Sequence, residues 1–132
     1  MNRRPLLATA LAAVLLACGA ALPAAAQTFP SKPIQMVVSA PPGSAPDVIA
    51  RLLADQYRTR LGQPVVVENR PGAGGIIAVN AMKDAPTDGH RLLFAQAAVA
   101  VVTPFTYKEA RYDMLRDFEP VSALASTPML FV

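Results

Sequence analysis

Apolar residues along this chain fall into short runs that alternate with polar and glycine-rich stretches. Continuous apolar runs predict β-strands covered on both faces, because a strand with one face in water would alternate apolar and polar positions. The predicted strands cover 34–38, 65–68 and 91–95. Apolar residues at every fourth position over 47–61 predict an amphipathic helix that ends at Gly62, and a shorter helix is predicted over 76–83. This alternation favours an α/β fold with βαβ units and a mostly parallel sheet.

The last third of the chain has a less regular pattern. Residues 97–103 fit neither the helical nor the strand period clearly. Residues 104–120 mix polar and aromatic positions and predict a long surface connection, whereas 121–124 and 128–132 have the pattern of strands. Because the final run reaches the last residue without a turn or a polar tail, we expect the chain to be a fragment of a longer protein. The aromatic residues of the surface connection are Tyr107, Tyr112 and Phe118.

Two loops with few side chains follow the first two predicted strands. The first, 39–47, contains prolines and Gly43, and the second, 69–75, contains Pro71 and three glycines. Glycine lets a ligand approach main-chain N–H groups, and the helix after each loop favours an anion at its N-terminus. Because such loops meet at the carboxyl edge of a parallel sheet, they predict an anion site there, with a third contact at Gln96. A tight strand-to-helix turn is the alternative interpretation of the glycines.

Ser44 and Asp47 have the spacing of a capping box at the start of the long helix. In that motif the serine hydroxyl accepts a hydrogen bond from an early helical N–H, and the carboxylate reaches back to the cap. Pro46 fits the first helical turn, where its missing N–H is not needed. Capping and ligand contact are therefore alternative roles for Asp47, and one residue can serve both.

The N-terminus has the three parts of a secretory signal peptide, namely a pair of arginines, a short apolar run and a small-residue cleavage site. These parts lie at Arg3–Arg4, 6–16 and 24–26. The apolar run is too short to span a bilayer, which needs about 20 residues. We therefore predict a signal peptide over 1–26 and a mature periplasmic domain over 27–132. The alternative is lipid anchoring at Cys18, because the residues before it approximate a lipobox.

Charge and composition exclude several functions. Removal of the signal peptide would leave ten basic and nine acidic residues, a balance that does not favour a nucleic-acid surface. It would also leave no cysteine, so no disulfide, cysteine nucleophile or cysteine metal site is expected. The second loop lacks the Lys-Ser or Lys-Thr of a phosphate-binding loop, and Ile77 replaces the last glycine of a dinucleotide motif. No cofactor is therefore predicted. His90 is predicted to be a solvated turn residue, and a secreted hydrolase using Ser44 or His90 is an alternative to a binding protein.

Three segments carry a resemblance to a known family. They are Phe-Pro-Ser-Lys-Pro-Ile at 29–34, Pro-Pro-Gly at 41–43 with Asp-Val-Ile-Ala-Arg-Leu-Leu at 47–53, and Leu-Gly-Gln-Pro-Val-Val-Val-Glu-Asn-Arg-Pro-Gly-Ala-Gly-Gly at 61–75. In these segments the chain resembles the Bug family, the extracytoplasmic solute receptors of bacterial tripartite tricarboxylate transporters. The resemblance implies a periplasmic-binding-protein fold of the two-lobed, type II, Venus-flytrap kind. This chain would be an incomplete first lobe of that fold, with helices flanking the sheet.

The resemblance also implies a function without catalysis. A Bug receptor captures a small carboxylated solute, largely through main-chain groups, and presents it to the permease subunits in the membrane. The residues that this assigns to the ligand are Pro42, Gly43, Ser44, Ala45 and Asp47 in the first loop and Gly72, Ala73, Gly74 and Gly75 in the second. Pro46, Ala97 and Ala98 depart from the family's pattern. A single lobe is expected to form at most half a site and to bind weakly. Because the chain ends within a predicted strand and its loops depart from the family's pattern, the alternative is a non-functional truncated remnant that binds no ligand.

Overall fold

The structure, a computed structural model, describes residues 28–126 and centres on a three-stranded parallel sheet. The strands are β1 (Ile34–Val38), β2 (Val65–Asn69) and β3 (Arg91–Phe94). Their order across the sheet is β2-β1-β3, so the first strand in sequence lies in the centre. In the register, Gln35 of β1 lies opposite Val66 of β2 and Arg91 of β3. The predicted α/β fold and parallel sheet are confirmed, as are the three strands, each to within one residue.

Helices connect the strands and follow the last one. The connecting helices are α1 (Ala45–Leu61), between β1 and β2, and α2 (Ile76–Lys83), between β2 and β3. The short helices after β3 are α3 (Ala97–Val101), α4 (Thr103–Thr106) and α5 (Met114–Asp117). As predicted, α1 ends at Gly62, whose φ of 69° is left-handed and whose N–H donates to the Arg58 carbonyl at 3.1 Å.

The sheet is covered on both faces, which explains why β1 is apolar almost throughout. On one face, Met36 and Val38 pack with Ala50 of α1. On the other face, Leu93 of β3 packs against the buried cluster that contains Val79 of α2. Successive side chains of a strand point to opposite faces, so Val37 points away from the α1 side, and it is fully buried as well.

The segment after β3 is more ordered than its sequence pattern indicates. Residues 97–103, which fit neither period, include α3. The prediction of a long surface connection over 104–120 is wrong for Tyr112, which is 6% exposed and donates its hydroxyl to the Val99 carbonyl at 2.6 Å. Phe118 packs against the same buried cluster. Tyr112 and Phe118 are thus single residues that pack into the core from a polar segment, and such single residues produce no helical or strand period in the sequence.

No strand forms over 121–124, contrary to the prediction. Val121 is 82% exposed, and among the described residues no neighbouring strand pairs with this segment. An apolar run becomes a strand only where a partner satisfies its backbone N–H and carbonyl groups. The apolar pattern of residues 121–124 was therefore not sufficient to predict a strand.

His90 is buried, which corrects its prediction as a solvated turn residue. It is 7% exposed, because the segment 28–33 packs over the turn before β3. The Ser31 N–H donates to His90 Nε2 at 3.2 Å, while His90 Nδ1 lies 3.0 Å from the Asp88 carbonyl oxygen. The Phe29 ring packs edge-on against the imidazole at a centroid distance of 4.9 Å. Both ring nitrogens are thus used by the fold.

Some of the sequence predictions fall outside the described residues. They are the signal peptide over 1–26, the alternative at Cys18, the mature start at Gln27 and the strand over 128–132. Within the part of the chain that is described, no helix combines the length and the apolar character needed to cross a membrane.

Candidate functional site

Three loops share the carboxyl edge of the sheet, where the sequence predicts a ligand site. They are loop one (39–44) after β1, loop two (70–75) after β2 and loop three (95–96) after β3. The Ser39 N–H donates to the Phe94 carbonyl at 3.1 Å. The Arg70 N–H donates to the Val38 carbonyl at 2.9 Å. These bonds join the bases of neighbouring loops, and because β1 is central, loop one lies between the other two.

Loop two contains a left-handed turn, the glycine turn (Gly72–Gly75). Its four φ angles are 118°, 48°, 62° and 94° in chain order. Hydrogen bonds from the Gly75 N–H to the Gly72 carbonyl at 2.9 Å and from the Ile76 N–H to the Ala73 carbonyl close the turn. Positive φ is open to glycine and costs other residues roughly 1–2 kcal/mol, and Ala73 is the one non-glycine of the described residues that adopts it. The first three residues of the turn are exposed, and no hydrogen bond within residues 28–126 uses their N–H groups.

Residues of α3 and α4, and Tyr107 just after them, hold the glycine turn in place. The hydroxyl of Thr103, a buried residue, donates to the Gly74 carbonyl at 2.8 Å. Gly75 packs so closely on Val99 that a Cβ at this glycine would lie 2.6 Å from Val99 Cγ2. A Cβ at Gly74 would lie 2.9 Å from the Tyr107 ring. The sequence indicated the glycines but not the residues that pack against them. The contact between Thr103 and Gly74, for example, joins residues 29 positions apart, and no local pattern indicates it.

Loop one starts α1 without the predicted capping box. The Ser44 hydroxyl donates to the Pro41 carbonyl at 2.6 Å and makes no hydrogen bond to the first N–H groups of the helix. The Asp47 carboxylate accepts from the Gly43 N–H at 2.8 Å rather than from the cap residue. The capping-box prediction is therefore wrong. Pro46 removes one of the N–H groups that Ser44 would cap, which leaves the hydroxyl to the Pro41 carbonyl.

Asp47 lies at the centre of a hydrogen-bonded network that joins loop one to the end of β2. The residue is 3% exposed. Its Oδ2 accepts from Arg51 Nε at 3.1 Å, and its Oδ1 lies 3.0 Å from the Arg51 guanidinium and 2.9 Å from Asn69 Nδ2. Asn69 Nδ2 also donates to the Ala40 carbonyl at 3.1 Å. Hydrogen bonds from Arg51, from the Gly43 N–H and from Asn69 lower the pKa of Asp47 to about 2, so the carboxylate stays ionised.

Arg51 and Asn69 are site residues that the sequence reasoning missed. For Arg51 a signal existed, because Asp47 and Arg51 are four residues apart and such pairs face each other on a helix. Asn69 ends β2 directly before loop two, but nothing in its position indicated that its side chain would reach α1.

The predicted ligand residues divide into exposed and buried groups. The exposed ones are Pro42, Gly43, Ala45, Gly72, Ala73, Gly74 and Gln96. Ser44 is half-buried, whereas Asp47 and Gly75 are buried. Gln96 is the N-cap residue of α3 and makes no capping bond through its side chain. Over residues 28–126, no group of three histidine, cysteine or carboxylate side chains could hold a metal ion.

Two shallow depressions lie at the opposite, amino edge of the sheet, around the turn before β3. Both are lined by Lys32, Asp88 and His90. The charged groups there already have partners: Lys32 Nζ lies 2.7 Å from Asp88 Oδ2, and Arg91 Nε donates to Gln35 Oε1 at 2.7 Å. Hydrogen bonds from Lys32 and from the His90 N–H lower the pKa of Asp88 to about 2. We therefore place the candidate site at the carboxyl edge rather than at these two depressions.

Comparison with known proteins identifies the family to which this fold belongs. The sequence profile of the tripartite tricarboxylate transporter family receptor matches residues 49–132. The chain is 39% identical to protein BugT of Bordetella pertussis over 133 residues, which cover 100% of this chain and 40% of BugT. The structure of MatC from Rhodopseudomonas palustris with bound malate is 35% identical, has a TM-score of 0.59 and covers 70% of this chain and 32% of MatC. The structure of Rpa4515 from R. palustris with adipate is 28% identical, has a TM-score of 0.61 and covers 64% of this chain and 28% of Rpa4515.

The chain spans between 31% and 40% of the length of the curated relatives that it matches. The described sheet and helices correspond to one part of a periplasmic binding protein, which confirms the predicted fold class. The chain therefore belongs to the tripartite tricarboxylate transporter receptor family, as its resemblance to the Bug proteins predicted.

Proposed function

We propose that the described residues form the first-lobe half of a binding site in a receptor for small carboxylate-bearing solutes. The observation that carries this proposal is the glycine turn, whose exposed main chain lies at the same edge of the sheet as loop one. MatC holds malate and Rpa4515 holds adipate, and both of these ligands are dicarboxylates. The complete receptor would present its solute to the permease subunits of a membrane transporter.

Loop two supplies most of the main-chain donors. The N–H groups of Gly72, Ala73 and Gly74 are left over when the turn closes. Hydrogen bonds from N–H groups to an ionised carboxylate are roughly twice as strong as bonds between neutral groups. Successive N–H groups in such a turn form a concavity that binds anions, and the positive end of the α2 dipole lies directly behind it.

Loop one contributes differently, because several of its N–H groups are already used. The Gly43 N–H donates to Asp47, and the Ser44 N–H donates to a carbonyl of the same loop at 3.3 Å. We therefore assign the donor of loop one to the Ala45 N–H at the start of α1, because the Ser44 hydroxyl also donates its proton within the loop, to the Pro41 carbonyl. Gly43 and Asp47 shape the loop, and Gln96 lines the third side of the site.

The buried carboxylate beside the site does not oppose an anionic ligand. Asp47 is paired with Arg51, whose guanidinium remains partly exposed. The pair is neutral as a whole, and its exposed member contributes positive potential next to loop one.

The proposal is tested by titrating the ¹⁵N-labelled chain with malate and following the backbone amide signals. We expect weak binding, with a Kd of about 1 mM or above, equivalent to at most about 4 kcal/mol. One lobe lacks the contacts that are made when two lobes close on a ligand. The amides expected to shift are those of Ala45, Gly72, Ala73 and Gly74. The amides of Gly62 and Gly89 serve as internal controls, because these residues lie shortly before β2 and β3 and so belong to the amino edge of the sheet.

The matched ligand control is the dimethyl ester of malate, which has the same carbon skeleton without charge and is expected to shift none of these amides. Micromolar affinity for malate would show that a second lobe is dispensable and would contradict the half-site. No response in the loops, or an equal response at Gly62 and Gly89, would favour the remnant that binds no ligand. Parallel titrations with tricarboxylates, aromatic acids and acidic amino acids then rank the solute classes.

Export to the periplasm, with removal of residues 1–26, is part of the same proposal. When the chain is expressed in a bacterium with its leader, the periplasmic fraction is expected to contain a species with the mass of residues 27–132. Lipidation at Cys18 would give a membrane-bound species that incorporates labelled palmitate. A full-length cytoplasmic chain would contradict the proposed localisation.

A further inference from the structure

Thr103 joins the short helix α4 to the glycine turn. Its hydroxyl donates to the Gly74 carbonyl at 2.8 Å, and the residue is 4% exposed. Threonine in a helix commonly bonds to a carbonyl of the preceding turn of its own chain. Thr106 in the same helix does so, since its hydroxyl donates to the Val102 carbonyl at 3.1 Å. The hydroxyl of Thr103 instead serves loop two.

The peptide between Gly74 and Gly75 is held at both ends. Its carbonyl accepts from Thr103, and its N–H donates to the Gly72 carbonyl at 2.9 Å. A trans peptide is planar with its C=O and N–H pointing in opposite directions, so these two bonds set the orientation of the whole peptide plane. The glycines on either side present almost no steric barrier to rotation of this plane. The bond from Thr103 is therefore a main restraint against a peptide flip.

The surroundings of Thr103 are themselves ordered. Val99 packs against Gly75, and the Tyr112 hydroxyl donates to the Val99 carbonyl at 2.6 Å. The Tyr107 ring lies against Gly74. The helical side of the glycine turn is thus packed, whereas the residues that carry its unused N–H groups are exposed.

We infer that Thr103 is a positioning residue for the carboxylate site, because its hydroxyl fixes the Gly74–Gly75 peptide whose N–H closes the glycine turn, and the closed turn leaves the N–H groups of Gly72, Ala73 and Gly74 for the solute. Thr103 acts through Gly74 and touches no solute. The effect on ligand affinity rests on the proposed function, whereas the effect on the peptide does not.

The test compares two substitutions of Thr103 in the full, ligand-free chain. Thr103→Val keeps the shape of the side chain and removes the hydroxyl, while Thr103→Ser keeps the hydroxyl. Thr106→Val is the matched control, because within the described part of the chain the Thr106 hydroxyl bonds to the carbonyls of Val102 and Thr103 and not to the glycine turn. Amide hydrogen exchange is read at Gly75 and Ile76 and normalised to the amides of β1. Normalisation separates a local change in the turn from a loss of global stability.

Thr103→Val is expected to speed the normalised exchange at Gly75 and Ile76 roughly fivefold, the factor equivalent to about 1 kcal/mol for one hydrogen bond. Thr103→Ser and Thr106→Val are expected to match the wild-type chain. Equal exchange in Thr103→Val and Thr106→Val would overturn the inference. If Thr103→Val does not fold, the test is made on the wild-type chain by NMR. A hydrogen-bonded Thr103 hydroxyl proton should exchange slowly with water, give a visible signal and show a nuclear Overhauser contact to the glycine turn. Absence of that signal would likewise overturn it.

Malate titration of the same variants separates this inference from the proposed function. The Kd of Thr103→Val for malate is expected to be roughly fivefold weaker than that of the wild-type chain, with Thr103→Ser restoring it. If the wild-type chain does not respond to malate while exchange changes as expected, the proposed function fails and the positioning of the peptide stands. Faster exchange with unchanged malate affinity would overturn the role of Thr103 in binding.

Discussion

Replacement of Gly75 by alanine is expected to lower the free energy of unfolding by about 2–5 kcal/mol. The φ of 94° at this position costs a residue with a Cβ roughly 1–2 kcal/mol. The new Cβ would also lie 2.6 Å from Val99 Cγ2 and 2.9 Å from Val99 Cγ1, and such overpacking typically costs about 1–3 kcal/mol. Val99 has little room to move, because it is buried in a cluster with Tyr112. Urea unfolding followed by far-UV circular dichroism measures the loss.

Gly62→Ala is the matched control for this substitution. Gly62 also has a left-handed φ, of 69°, but no atom lies within 4 Å of the position that its Cβ would occupy. Only the conformational cost of roughly 1–2 kcal/mol should therefore appear. If the two alanine variants lost equal stability, the close contact between Gly75 and Val99 would not be a determinant of the fold.

Asp47→Asn is expected to lower the thermal midpoint several times more than Asp55→Asn does. Asparagine keeps the shape of the side chain but replaces one acceptor oxygen by an NH₂ group. Both oxygens of the Asp47 carboxylate accept hydrogen bonds, from the Gly43 N–H, Arg51 and Asn69. In either orientation of the amide, the new NH₂ group would therefore point at another hydrogen-bond donor. An unsatisfied or repelled donor in a buried position is costly. Asp55 lies on the same helix and is exposed, so its substitution changes the charge equally without breaking a network. Thermal unfolding at pH 7 followed by circular dichroism compares the two, and equal midpoints would contradict the structural role of Asp47.

Asp47→Asn is also expected to make the free energy of unfolding depend less on pH below about pH 4. The pKa of Asp47 is about 2 in the folded chain against an ordinary value of 3.8, so folding favours the ionised form. The stabilisation is complete above about pH 4 and is lost as the pH falls through about 2. Urea unfolding at a series of pH values should therefore show a smaller acid loss in Asp47→Asn than in the wild-type chain. Asp88, whose pKa is also lowered to about 2, keeps part of the acid dependence in both.

The strands, α1 and the glycine turn could be predicted because their signals act over a few residues. Apolar runs bounded by glycine or proline defined β1 to β3. A repeat of four residues that stops at Gly62 defined the end of α1. Gly72, Gly74 and Gly75 marked a turn that few other residues adopt, and the structure forms it with left-handed φ angles.

The rest of the fold and site depends on contacts between residues that are distant in the chain. The hydrogen bond from Ser31 to His90 spans 59 residues. Because the local sequence does not indicate this partner, a histidine in a turn is predicted to be exposed to solvent. The bond from Asn69 to Asp47 spans 22 residues, and it competes with the local capping interaction that the spacing suggested. A local pattern shows that a polar group needs a partner, but it does not show which distant residue supplies one.

The chain reverses its direction of winding after β2, since it leaves β1 for one side of the sheet and then crosses to the other. α1 accordingly covers one face of the sheet and α2 covers the opposite face. In open parallel sheets, ligands commonly bind at the carboxyl ends of the strands where such a reversal occurs. The winding of the backbone fixes this position independently of any one side chain, so surface residues there can be exchanged while the backbone path stays the same.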